Sequence, residues 1–207
     1  MHAIITDGSI SKIINHPKRL VIGDVQYPAR IFSVWTASEL AAIGIYEITF
    51  DDSKKKDETY YINTNQTFTY DADAGTVTAA YGDATAKAHA DTTWTQDEID
   101  DGDAPTGADT DTIKMRGLKY NFIKTVKAQA EGLLNQTDWY ITRKAEKNTA
   151  IPSAISTHRD AVRTKQASME TAITNASDTP ALETLYTYTT TDGVQSRPLG
   201  ELPILES

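Results

Sequence analysis

Four histidines, 29 carboxylates and no cysteine set the chemistry open to this chain of 207 residues. His2, His16, His89 and His158 fall in separate segments, with no His-x-x-x-His pair and no carboxylate at ligand spacing. A metal would therefore need a site assembled by tertiary contact alone. Asp71-x-Asp73-x-Gly75 begins like a calcium loop but lacks the downstream bidentate glutamate, and Asp101-x-Asp103 runs into Pro105; both read as turns. Nothing matches a phosphate loop or a dinucleotide glycine fingerprint, Gly117 and Gly132 stand alone inside a helical pattern, and no serine occupies a nucleophile elbow. The absence of cysteine removes thiolate nucleophiles, disulfides and thiolate metal sites. Lys54-Lys55-Lys56, flanked by Asp51-Asp52 and Asp57-Glu58, is a self-neutralised surface turn. The expectation is a protein without cofactor or catalytic machinery. Paired carboxylates for glycan hydrolysis would have to come from the acidic stretch before residue 112.

What remains is recognition chemistry, concentrated in LLNQTDWYITRKAEKNTAIP, Leu133 to Pro152. Trp139 and Tyr140 supply large contact area, and Arg143 and Lys144 a polar rim. Two readings compete: an aromatic lid on the helices at either side, or a surface left open for a partner. In an extended connector successive side chains alternate. Trp139 is then expected to pack inward, with Tyr140 and Arg143 more exposed.

The elements that must position this stretch follow from pattern. Ala3–Thr6, Asp7-Gly8-Ser9 and Ile10–Ile14 read as a β-hairpin, and a second hairpin turns through residues 71–75 between Phe68/Tyr70 and Val77. Between them Thr36-Ala37-Ser38-Glu39 is a capping box that opens one short helix, with Leu40 and Ile43 buried and Gly44 as its stop. Residues 91–112 hold eight acidic side chains with Gly102, Gly107 and Pro105, and read as a linker. From Ile113 to Gln136, Leu118, Phe122, Val126, Ala130, Leu133 and Leu134 recur at helical spacing; a second helix from about Pro152 carries Ile155, Val162, Met169 and Ile173. Thr179-Pro180 signals a third, shorter helix with Leu182, Leu185 and Tyr186 on one side. The predicted fold class is α+β: a β-rich antiparallel domain over 1–90, an acidic linker over 91–112, a helical domain over 113–190 built on an antiparallel hairpin, and an extended tail over 191–207.

Charge narrows the partners. Residues 1–112 carry 8 Lys+Arg against 19 Asp+Glu, whereas residues 113–207 carry 12 against 10. Nucleic-acid binding draws its affinity from clustered Lys and Arg, so the acidic half argues against it. No stretch approaches the length of a membrane span, and the first twenty residues lack the apolar block of a secretion signal. Neither nucleic acid nor membrane is expected as a partner.

The stretch Leu133–Pro152, followed by ISTHRDAVR, resembles the bacteriophage tail assembly chaperone family, also seen at the ends of tail fibre assembly proteins. Leu133, Leu134, Thr137, Asp138 and Trp139 match a Leu-Leu-x-x-Thr-Asp-Trp signature, Ile151-Pro152 its spacer, and Arg159, Val162 and Arg163 the pattern that opens the following helix. Ser156, Thr157 and His158 stand where that pattern is usually aromatic. The resemblance covers about residues 120–165. It implies a non-enzymatic protein that binds a tail fibre or another tail subunit, in the host cytoplasm during assembly or retained in the virion tail, ordered within a larger assembly. Its partner-binding residues would be Trp139, Tyr140, Arg143, Lys144, Arg159 and Arg163. A baseplate, neck or decoration subunit carrying the same helical module is the alternative.

Overall fold

The computed structural model describes residues 1–205; the last two residues of the expected tail, Glu206 and Ser207, lie outside them. The fold is α+β, with two compact units, Met1–Thr85 and Ala86 onward. The chain passes between them through the two-residue strand β9 (Thr85–Ala86), which follows β1 to β8 in the first unit.

In the first unit, β1 (His2–Thr6) and β2 (Ser9–Ile14) form the expected hairpin, its turn made by Asp7 and Gly8 at positive φ. The register slips between Ile4 and Ile5, so Ser11 is the extra residue of a bulge and its hydroxyl donates to the Ile4 carbonyl at 3.1 Å. The slip matters because side chains alternate across a strand. Ile10 and Ile13 are three apart and would point to opposite faces of a regular strand. The bulge brings both against Ala3, Ile48, Val77 and Ala79.

β3 (Leu20–Ile22) and β4 (Val25–Tyr27) make a separate small hairpin before α1 (Ile31–Val34) and α2 (Ala37–Ala41). The Thr36/Glu39 capping box is present: the Glu39 amide donates to the Thr36 hydroxyl, and the Thr36 amide donates to the Glu39 carboxylate at 2.7 Å. Gly44 ends the turn at φ +78°, and a Cβ there would stand 2.7 Å from the Ile5 carbonyl oxygen. There are thus two short helices where one was expected. β5 (Ile45–Asp51) follows, then the short β6 (Tyr61–Ile62), and then the second hairpin, β7 (Thr67–Asp71) and β8 (Thr76–Ala80). Asp71 shapes its turn by accepting from the Asp73 and Ala74 amides.

The five-stranded sheet has the order β2-β1-β5-β8-β7, and β5 runs parallel to β8. This corrects the wholly antiparallel expectation. Each hairpin is a local pattern, whereas the β5–β8 pairing joins distant segments and has no local signal. The sheet curls, bringing edge strands β2 and β7 near each other. Small Ala3 and Ala79 lie on the inside of the curl with Ile48 and Val77; Ile4, Ile14 and Ile45 face the other way, onto Leu20, Ile31 and Leu40.

The second unit corrects the linker expectation. Residues 91–112 contain β10 (Thr92–Thr93) and α3 (Gln96–Asp100), and β10 pairs with β11 (Ile113–Met115). Polar contacts order the segment in place of apolar anchors. Thr95 and Glu98 form a second capping box, and Lys114 pairs with Glu98 while standing 4.7 Å from the centre of the Trp94 ring. Arg116 pairs with Asp91 at 2.6 Å. Asp91 also accepts from the Gly117 amide, and the Ala88 and His89 carbonyls accept from Leu118 and Lys119. These contacts cap α4 (Leu118–Asn135), which therefore starts at Leu118, with Gly117 as its N-cap, and not at Ile113. A Cβ at Gly117 would sit 2.3 Å from Ala90, so the close approach needs glycine.

Beyond α4 come α5 (Asp138–Lys147), α6 (Ser153–Asn175) and α7 (Thr179–Tyr186). α4 and α6 are antiparallel: Lys119 reaches the Thr174 carbonyl near one end, Lys127 pairs with Glu170, and Leu134 meets Arg159 at the other end. Val126 and Ala130 of α4 are fully buried, as are the expected Val162, Met169 and Ile173 of α6; Ile155 is nearly so. Leu133, expected between the helices, is half-buried at the edge of the stripe. α7 begins one residue earlier than its sequence signal, with the Asp178 carboxylate accepting from the Ala181 amide. The Thr179 hydroxyl is thereby free to donate to the Lys87 carbonyl at 2.7 Å. The expected tail begins as a hairpin, β12 (Thr189–Thr191) with β13 (Val194–Ser196), and then buries Leu199 against α4, α6 and α7. Arg197 stands over Tyr186 and Tyr188 and pairs with Glu201 at 2.7 Å.

Two outcomes follow. Ile173→Ala should lower stability by about 2–5 kcal/mol, the scale of a large core truncation. Leu133→Ala should cost clearly less in the same denaturant titration, since that side chain is not enclosed. The second concerns Asp91, whose carboxyl is held below its ordinary value first by the Gly117 amide and then by Arg116. A depressed carboxyl contributes stability above its unfolded pKa and loses it as pH falls through the folded one. The stability difference between the native protein and Asp91→Asn should be full at pH 7 and shrink as pH drops below about 4.

Candidate partner-binding surface

The turn out of α4 is built on a buried cation. Arg159 lies on the first half of α6, is 7% exposed, and extends to where α4 ends and α5 begins. Its Nη1 donates to the Leu134 carbonyl at 2.7 Å and to the Thr137 hydroxyl at 2.7 Å, and meets the Asp138 carboxylate at 2.8 Å. Thr137 is 2% exposed, and its own hydroxyl donates to the Leu134 carbonyl. Each group answers a need. The last carbonyls of a helix lack intrahelical partners, Arg159 satisfies one of them, and Asp138 balances its charge. Arg159 Nε has no hydrogen-bond partner among the described residues.

From this corner α5 leads away as a helix of ten residues, correcting the extended connector expected here. The cause is electrostatic as well as intrinsic. Asp138 stands in the first turn and Lys144 and Lys147 in the last, each suited to the helix dipole. Arg143, Lys144, Ala145, Glu146 and Lys147 are good helix formers. Asn148 ends the helix in the left-handed conformation at φ +50°, its amide donating to the Lys144 carbonyl.

A helical α5 changes which aromatic is displayed. Trp139 is 52% exposed and Tyr140 half-buried, the reverse of the expected lid. Their ring centres are 4.0 Å apart, and the Arg143 guanidinium stands 4.9 Å from the Trp139 ring and 5.9 Å from that of Tyr140. Helical geometry brings residues three and four apart together, which is how Arg143 reaches both rings. Ile141 is exposed as well, and none of the ten residues of α5 is buried.

Of the six residues assigned to partner binding, Trp139, Tyr140 and Arg143 form one stacked group, with exposed Lys144 beside it. Arg159 lies beneath the corner with its charge engaged inside the unit, so it is a support and not a contact. Arg163, one turn further along α6, is more than half exposed, pairs with Asp160 at 3.4 Å, and lines an open groove with Leu134, Gln166 and Glu170. Ile141 and Lys147 went unassigned; the charge order from Asp138 to Lys147 was the signal that would have placed them on a helix. Among the described residues, no cluster of three or more His, Asp or Glu side chains is arranged to hold a metal, and no helix is long and apolar enough to cross a membrane.

Comparison of the chain with protein-family models, with curated proteins and with solved structures finds no match in any of the three.

The corner is open to direct test. Arg159→Met keeps most of the volume but removes the charged donor shared by the Leu134 carbonyl, the Thr137 hydroxyl and the Asp138 carboxylate, leaving the carbonyl only its bonds from Thr137. It should cost about 1.5–3 kcal/mol, the range for hydrogen bonds to a charged group. Arg163→Met, one turn away and solvated, should stay within about 0.5 kcal/mol. Equal shifts in the urea midpoint would show that the buried network contributes nothing.

Proposed function

We propose that the chain is a non-enzymatic bacteriophage tail protein that binds a tail fibre or another tail subunit through α5. The observation that carries this reading is a helix of ten residues with no buried side chain and an exposed, arginine-stacked tryptophan. Isolated helices of this length are marginal in water, because helical stability in proteins comes mostly from packing an apolar face. α5 is held at its first turn by Arg159 and Asp138, and its apolar side chains are left for a partner. Exposed Trp and Tyr beside Arg are the residue types that dominate binding energies at protein interfaces.

The arrangement also bears on the resemblance to tail assembly chaperones. Its two halves lie about twenty residues apart in sequence, Thr137-Asp138-Trp139 in one and Arg159 in the other. The contacts of Arg159 with Thr137 and Asp138 give that pairing a physical purpose. The signature reads as the recipe for a corner that fixes where the tryptophan is displayed.

The test is co-purification with the fibre or tail subunit produced beside this protein. Trp139→Ala combined with Arg143→Ala should leave the unfolding midpoint nearly unchanged, since both residues are solvent-accessible, and weaken capture by about 2 kcal/mol. Undiminished capture by this folded variant would remove α5 as the binding element. Copies found in fixed number on finished particles would make the protein a retained subunit; absence from particles would make it a chaperone.

A further inference from the structure

The first unit contains a small concave site with no part in the reading above. A cavity of about 190 Å³ opens on the outer face of the sheet beside α1 and α2. Its floor is aliphatic, made by buried Leu40 and Ile45. Its walls are the half-buried rings of Phe32 and Trp35. Its rim carries exposed Glu47, with His2 beside it.

The backbone imposes this arrangement. His2 and Glu47 face each other across the β1–β5 ladder, and Ile45, two residues before Glu47, shares its face. The walls are held by further rings: Tyr27 meets Trp35 edge-on at 5.8 Å, and His2, itself part of the lining, lies 4.8 Å from the Phe32 ring. The Glu47 side chain has no hydrogen bond or ion pair among the described residues, only its attraction to His2 across the ladder, so its carboxylate is available at the mouth.

We propose that this cavity binds a short aliphatic amine in its protonated form, the chain resting on Leu40 and Ile45 and the ammonium held at the mouth by Glu47 and the faces of Phe32 and Trp35. Size sets the first limit. Pockets for ordinary small molecules run from about 300 Å³ upward, so this one takes a group of side-chain dimensions. Polarity sets the second. A charge on the apolar floor would lose its hydration with nothing to replace it, so the ligand must be apolar at its inner end and charged at its outer end. A lysine side chain entering tip first has the opposite order. Aromatic rings and a carboxylate at the mouth favour a cation over an anion, with the Met1 ammonium near His2 as the positive charge that opposes it. His2 adds little opposing charge at neutral pH: burial, and then the Met1 ammonium, lower its pKa, with Glu47 acting the other way.

The probes are n-butylammonium chloride and n-butanol, each titrated into the full chain at low ionic strength, with sodium chloride as the salt control. The readout is the NMR signals of the His2 and Phe32 rings, the Trp35 indole and the Leu40 methyl groups. Butylammonium should shift these signals saturably and bind about fivefold more tightly than butanol, the scale of one exposed charge contact. Glu47→Gln, at an exposed position, should bring the two affinities together. Equal affinities for both probes in the native protein, shifts that do not saturate, or an unchanged preference in Glu47→Gln would each overturn the proposal. Ala37→Phe at the exposed rim should block both probes; retained binding would place them elsewhere and overturn it too.

Discussion

A guanidinium inside a protein is tolerated when its protons and charge are answered nearby, and at the end of α4 Arg159 meets most of that condition from three directions. One nitrogen serves the Leu134 carbonyl, the Thr137 hydroxyl and the Asp138 carboxylate together. The consequences run outward from there. The α4–α6 pair is closed at that end, the Leu134 carbonyl and Thr137 hydroxyl of the turn are engaged, and the first residue of α5 is fixed to the residue on α6 that supports it. Where Trp139 stands depends on this contact more than on any apolar packing, since no residue of α5 is buried.

The readable parts of the sequence were those in which one local signal had a single structural meaning. Asp7-Gly8 between apolar runs could be little but a tight hairpin turn, and Ile155, Val162, Met169 and Ile173 at helical spacing define one buried stripe. The Thr36/Glu39 box is equally local. The same chemistry recurs at Thr95 and Glu98, where the surrounding carboxylates mask it by giving the segment the composition of an unanchored linker. Composition predicts disorder when apolar burial is the sole source of order. Here Asp91, Glu98, Lys114 and Arg116 order the segment through ion pairs and capping.

Other features had no local trace. The Ser11 bulge reconciles Ile10 with Ile13, and the need for it appears when both must face the same interior. The parallel β5–β8 pairing joins segments about thirty residues apart. At the candidate site an extended backbone places Trp139 inward and Tyr140 outward, and the helix that forms instead exchanges the two as the exposed ring. The resemblance names Arg159 among the partner-binding residues, whereas the structure buries it beneath the corner. Its three partners, Asp138, Thr137 and Leu134, are far away in sequence, the latter two by 22 and 25 residues, beyond the reach of any periodicity argument.

Stability alone does not explain why a charged residue occupies position 159. A methionine or leucine could fill much of the same volume, and replacing buried ion pairs by apolar residues is often neutral or favourable. What an apolar side chain cannot do is bond to the end of one helix and the beginning of the next at once. Dispersion contacts would accept a range of angles between α4 and α5, whereas two hydrogen bonds and an ion pair converging on one nitrogen accept far fewer. The unpartnered Nε of Arg159 fits this view, since it is a cost that packing would avoid and that a fixed corner requires. The advantage goes to whatever the corner aims. Because no residue of α5 is fully enclosed, that is its outer face, where Trp139, Tyr140 and Arg143 are stacked on one another.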